Sequence, residues 1–211
     1  MRLVHWALVL DIAALWWTGT ERLLDWHRLA GYAMAALVLF RLAWGFVGSD
    51  TARFASFVQG PRRAYAYLRD ELFDRHAPPH FGHNPLGGWS VAAMLGLLAT
   101  QVALGTLAVD VDGIESGPFS YLVEFDTGRA AAEWHHLLFN VLLGLIALHI
   151  VAVVFYATYR RHNLVATMVT GSRPGTGHEL SDRFVSVWVA LAIMLLSAGL
   201  VWASVKYLGQ V

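Results

Sequence analysis

The chain has 211 residues, 57% hydrophobic and 14% charged, with 15 basic side chains balanced by 15 acidic ones. The zero net charge excludes a nucleic-acid surface built on excess positive charge, and the apolar content is well above that of a soluble domain of this size. With no cysteine in the chain, disulfides, cysteine-ligated iron–sulfur clusters and thioether-attached cofactors are excluded.

Five apolar stretches, roughly 3 to 19, 27 to 47, 88 to 109, 134 to 158 and 184 to 207, are long enough or nearly so to cross a bilayer. They predict an all-α integral membrane protein: a four-helix transmembrane bundle plus a fifth, C-terminal transmembrane helix. These spans are expected to form one bundle with no soluble domain, the fifth helix following a linker. The first stretch follows Arg2 but ends in Trp16, Trp17 and Thr18, where a cleaved leader needs small residues, so it is read as a retained span. A short turn from Glu21 to Asp25 leads to the second span, and Trp16, Trp17 and Trp26 mark one membrane interface.

The connection from about 48 to 87 contains Gly60-Pro61 followed by Arg62, Arg63, Tyr65, Tyr67, Leu68, Leu72 and Phe73. This pattern predicts a short amphipathic surface helix with proline in its first turn. Asn84-Pro85 predicts the start of the third span, with Asn84 as its cap. No internal repeat, low-complexity tract or phosphate-cradling glycine loop is evident.

Assigning the loops to alternate sides gathers Arg2, Arg53, Arg62, Arg63, Arg69, Arg75, Arg160, Arg161, Arg173 and Arg183 on one side. Arg22, Arg28, Arg129 and Lys206 fall on the other. The positive-inside rule therefore predicts a cytoplasmic N-terminus and a periplasmic C-terminus. The outer connection between spans three and four carries Asp110, Asp112, Glu115, Glu124, Asp126 and Glu133, an acidic surface suited to steering a basic partner.

His135 and His149 lie 14 residues apart in the fourth span. Fourteen steps of about 100° fall only about 40° short of four turns and rise about 21 Å, so the two imidazoles share a face at different depths. His136 is turned roughly 220° from His149 by the same arithmetic, which selects His135 as the ligand candidate. With spans one and three running outward and two and four inward, His5 falls level with His149 on the cytoplasmic side. His27 falls level with His135 on the periplasmic side. Ionisable groups within a membrane are costly and functional, and four histidines at two matched depths offer two axial nitrogens to each of two haem irons. With both axial positions filled, such irons are built to pass electrons rather than to bind oxygen.

Arg41, 14 residues after His27, shares its face about 21 Å deeper, level with His5 and His149. A buried guanidinium needs an anion, and a haem propionate would supply one. Asp11, in mid-span and on a different face from His5, is expected to be a protonated, hydrogen-bonded structural carboxyl, with proton delivery to a quinone as the functional alternative. Glycines 31, 45, 96, 105 and 144 are expected to permit close helix packing, with room for a flat macrocycle as the functional alternative. His76, His80 and His83 are interrupted by prolines and read as loop residues rather than a metal site.

Several segments together resemble the bacterial cytochrome b561 family, which includes the cytochrome b subunit of nickel–iron hydrogenases. They are Arg2-Leu3-Val4-His5-Trp6, His27 with Gly31-Tyr32, and Arg41 through Gly48. Further along come Ala52-Arg53-Phe54, Gly60-Pro61, Gly82 through Trp89, and His135 through Phe139-Asn140 to His149. The resemblance covers roughly residues 1 to 171. It implies two non-covalent, bis-histidine b-type haems ligated by His5 with His149 and His27 with His135, in the bacterial inner membrane. It also implies electron transfer between quinone and a periplasmic redox partner, hydrogenase-like or cytochrome c-like, within membrane lipid and with an oligomer open. The rival expectations are a superoxide:quinone oxidoreductase needing no protein partner, and a haem-free transporter or proton pathway using the same histidines as relays.

Overall fold

A computed structural model describes residues 1–74, 84–110, 115–170 and 185–209. His76, His80, His83, Asp112, Arg173 and the linker from 171 to 184 lie outside the described residues. Among those described, five helices are long and apolar enough to cross a membrane. They are α1 (Arg2–Thr20), α2 (Leu24–Val47), then, after the short α3 (Phe54–Phe57) and α4 (Pro61–Ala66), α5 (Pro85–Leu107) and α6 (Phe125–Thr158), and finally, beyond α7 (Leu164–Thr170), α8 (Val187–Leu208). The chain is an all-α, multi-pass membrane protein, as its composition predicts.

The spans begin and end close to their expected positions, with one informative exception. α6 starts at Phe125, nine residues before the expected 134. At about 1.5 Å per residue a helix of 34 residues is about 51 Å long, more than the roughly 30 Å of hydrocarbon, so its first turns stand clear of the bilayer. Local chemistry explains the extension. Asp126 lies in the first turn, Ala130 to Ala132 are strong helix formers, and Arg129 faces Glu133 at 4.0 Å. Val109 donates its backbone N–H to the Gly128 carbonyl at 3.1 Å, pinning these turns to the end of α5.

Asn84 caps α5 as expected, its Oδ1 accepting the Gly87 N–H at 2.7 Å. The predicted surface helix is different in kind. Pro61 starts α4, but the helix continues as a π-turn over Tyr67–Glu71, and Tyr67 is buried rather than interfacial. Its hydroxyl hydrogen-bonds Tyr156 of α6, which also accepts from Asn84 Nδ2 at 2.7 Å. Arg160 is buried and donates to the Glu71 carbonyl at 2.6 Å. One end of the bundle is thus closed by a polar cluster from three segments.

Two antiparallel hairpins organise the bundle, α1 with α2 and α5 with α6, each in a seven-residue register. Along α1 and α2, Gly19 faces His27 and Ile12 packs against the cluster containing Met34, a register that puts His5 level with Arg41. Along α5 and α6, Gly105 faces His135, Leu98 and Leu142 share one buried cluster, and Asn84 meets Tyr156. Seven residues make nearly two turns, so one stripe of each helix carries these positions. Met34 and Leu142, both 2% exposed, meet with Val38, Leu95 and Leu98 at mid-depth. The apolar plug separates the two ends by packing, the main cohesive force between helices in lipid.

α8 packs along α2, with Val185, Ala190, Ile193 and Met194 against Phe40, Trp44 and Ala52. Its far end is tied to the α5–α6 connection, where Tyr121 donates to the Leu208 carbonyl at 2.6 Å. The outward faces of α1, α6 and α8 expose Leu10, Leu148, Val151, Leu195 and Leu196, as lipid-facing helices do.

Candidate functional site

His27, in the first turn of α2, and His135, on α6, face each other at one end of the bundle. Their ring centres are 6.2 Å apart and their planes cross at 77°. Two imidazoles that bind one metal ion from opposite sides have centres about 6 Å apart, given a metal–nitrogen bond of about 2 Å and roughly 1 Å from nitrogen to ring centre. The observed spacing therefore fits an iron between them.

Hydrogen bonding decides which nitrogen is available. His27 Nδ1 lies 3.0 Å from the Leu15 carbonyl oxygen on α1, and His135 Nδ1 lies 3.1 Å from the Gln101 carbonyl oxygen on α5. A carbonyl only accepts, so each Nδ1 carries the proton and each Nε2 keeps its lone pair. Metal-bound histidines have this arrangement, with the second nitrogen donating to a carbonyl that fixes the tautomer. Thr18 adds a further contact to His27 Nδ1 at 3.3 Å while its own hydroxyl donates to the Ala14 carbonyl at 2.7 Å.

Each of these rings is seated against a glycine. A Cβ on Gly19 would stand 3.3 Å from Cε1 and Nδ1 of His27, and one on Gly105 would stand 3.1 Å from Cε1 of His135. The glycines split by role. Gly45 packs against Phe54 and Gly105 against His135, whereas Gly31, one turn below His27, has nothing within reach of an added methyl group. Gly31 is half-buried with open space beside it. Gly96 and Gly144 are exposed and serve neither purpose. Gly19 escaped the sequence reading because its role depends on which histidine lies across from it.

His136, by contrast, is exposed, as the rotation from His149 requires. His5, on α1, and His149, on α6, are both half-buried at the opposite end. His5 stands edge-on to Trp6, with ring centres 5.4 Å apart, and its buried Nδ1 has no hydrogen-bond partner among the described residues.

Level with His5, Arg41 is 8% exposed, and its guanidinium carbon lies 4.9 Å from the Phe54 ring centre and 5.7 Å from that of Phe57. Buried Nη1 has no acceptor among the described residues. An anion such as a carboxylate would satisfy that nitrogen. Asp11 departs from its expectation, since its buried Oδ2 has no hydrogen-bond partner among the described residues. On the acidic side, Glu115 lies 3.4 Å from Arg28, which also holds Asp25 at 2.6 Å.

The chain is 24% identical over 161 residues to the "Probable Ni/Fe-hydrogenase B-type cytochrome subunit" of Rhizobium leguminosarum bv. viciae, covering 70% of this chain and 66% of that relative, just under two thirds of its length. No solved structure matches the chain. The model of the family described as prokaryotic cytochrome b561 matches residues 1–171, the stretch holding His5, His27, His135, His149 and Arg41, and the chain belongs to that family.

Proposed function

We propose that this protein is a di-haem b-type cytochrome that carries electrons between a periplasmic redox protein and the quinone pool of the bacterial inner membrane. The observation that carries the reading is the His27–His135 pair, 6.2 Å apart with both Nδ1 atoms committed to carbonyls. A b-type haem held by two histidines supplies a one-electron centre with no open position for oxygen.

His27 and His135 hold one haem at the periplasmic level, and His5 and His149 hold the other at the cytoplasmic level. Arg41 meets a propionate of the second. The plug of Met34, Leu98 and Leu142 keeps water from the space between the levels. Residues 1–171 form the electron-carrying unit, while 172–211 bring α8 against α2 as a buttress outside the histidine stripes. The N-terminus is cytoplasmic and the C-terminus periplasmic, from the arginine distribution.

The partner is a hydrogenase-like or cytochrome c-like protein docking at the His27 end. The hydrogenase reading rests on the relative's name. At that end Arg28 is paired with Asp25 and Glu115, and this neutralised arginine weighs against superoxide drawn to a cationic entrance.

A reduced-minus-oxidised optical spectrum of the purified protein, with haem extraction, tests the proposal. About two b-type haems per chain are expected, since each histidine pair fills one iron. A protein purified without haem signal would instead favour a proton pathway through the same histidines.

A further inference from the structure

The two outer hairpin ends are built alike, although the sequence shows no repeat. On α1, Leu15 accepts from His27 Nδ1, and the residue four further on is Gly19. On α5, Gln101 accepts from His135 Nδ1, and the residue four further on is Gly105. The carbonyl of residue i in a helix already accepts from the N–H of residue i+4, and its second lone pair points past that residue's side chain. Glycine at i+4 leaves the lone pair uncovered and lets an imidazole from the next helix reach it.

We propose that Gly19 and Gly105 are positioning residues that set the redox equilibrium of the His27–His135 centre by holding each ligand's Nδ1 on an opened helix carbonyl. The inference rests on the haem reading above and goes beyond it by assigning a role to two residues outside the ligand set. Donation from Nδ1 to a carbonyl makes the imidazole more basic and favours the ferric state. The clearances are small. A Cβ at 3.1 Å from His135 or 3.3 Å from His27 forces the ring to shift by a few tenths of an ångström, lengthening a hydrogen bond now at 3.1 or 3.0 Å. At the other end His5 has no such seat, so the effect is confined to one centre.

The test uses the full-length protein purified with its haems, as wild type, Gly19→Ala, Gly105→Ala and Gly144→Ala. Each is examined for haem content, by potentiometric titration and by electron paramagnetic resonance of the ferric state. Gly144 is the control, because an added methyl group meets nothing there. Gly19→Ala and Gly105→Ala are expected to shift the reduction equilibrium of the outer centre toward the reduced state by roughly three- to tenfold, the worth of one weakened hydrogen bond. They also alter its resonance signal and leave the other centre unchanged. Selective loss of the outer haem from either variant supports the same role.

Two haems with unaltered equilibria and spectra in both variants would overturn the proposal, as would equal shifts at both centres or a shift of the same size in Gly144→Ala. If Gly105→Ala does not accumulate, Gly19→Ala, with the looser contact, decides the matter. Loss of both haems from both variants beside an intact control would assign the glycines to assembly alone and also overturn it. Wild-type protein without haem is a different outcome, which removes the haem reading itself.

Discussion

His27 and His135 lie with ring centres 6.2 Å apart, yet neither is oriented by the other: His27 is tied to Leu15 on α1 and His135 to Gln101 on α5. Four helices thus converge on one pair of rings, two bringing the imidazoles and two turning them. The site of His27 and His135 is fixed by the packing within each hairpin, before anything binds between the hairpins. Such preorganisation limits the rearrangement needed when the site is filled.

The first prediction separates neighbours in the chain. His135→Ala and His149→Ala are each expected to remove about half of the haem, because each interrupts one bis-histidine pair. His136→Ala, at an exposed position, should retain both. Haem extraction from the three purified variants checks this, and equal losses from His135→Ala and His136→Ala would break the facing argument.

A second prediction concerns the order of the two centres. Carbonyl-bound ligands lower the potential of the His27–His135 centre, while the buried cation of Arg41 raises that of the centre beside it by favouring the reduced form. The haem held by His5 and His149 should therefore be reduced first in a potentiometric titration. Assigning each wave with His27→Ala and His149→Ala tests the order, and an outer centre that is reduced first would contradict it.

Removing the charge at Arg41 gives a third. Arg41→Gln forfeits the stacking of the guanidinium on Phe54 and Phe57, worth about 0.5–2 kcal/mol, together with the anion partner. The expected outcome is a lower potential and weaker retention of the His5–His149 haem, with the outer centre unaffected. An unchanged titration would mean that no anion meets the guanidinium.

The mid-depth plug supplies a fourth. Leu142 is 2% exposed and sits seven residues from both His135 and His149. Leu142→Ala is expected to destabilise the bundle by about 2–5 kcal/mol through the cavity it leaves, while both haems remain bound in the cold protein. Thermal unfolding followed by circular dichroism and by haem absorbance tests this, and an unchanged midpoint would show that the helices collapse around the gap.

Part of this arrangement is legible in the chain itself. The facing of His27 and His135, and the level shared by His5 and Arg41, follow from helix period and alternating direction. The Asn84 cap was legible for the same reason, being a local signal that the fold left intact. What escaped depends on rotations of one helix against another. Gly19 has no significance until His27 lies across from it, and Gly105 reads as a packing glycine until its neighbour proves to be His135. Tyr67 looked interfacial because its partners, Tyr156 and Asn84, are far away in sequence. The early start of α6 was hidden by its charged residues, which lie beyond the hydrocarbon and carry no apolar signal.

The central claim is that His27 and His135 grip one iron from opposite sides, and electron paramagnetic resonance of the ferric protein reads it most directly. Ligand planes crossed at 77° predict a strongly anisotropic low-spin signal that disappears in both His27→Ala and His135→Ala, while the signal of the second centre persists. If either variant keeps both low-spin signals, the two imidazoles do not share an iron and the account fails.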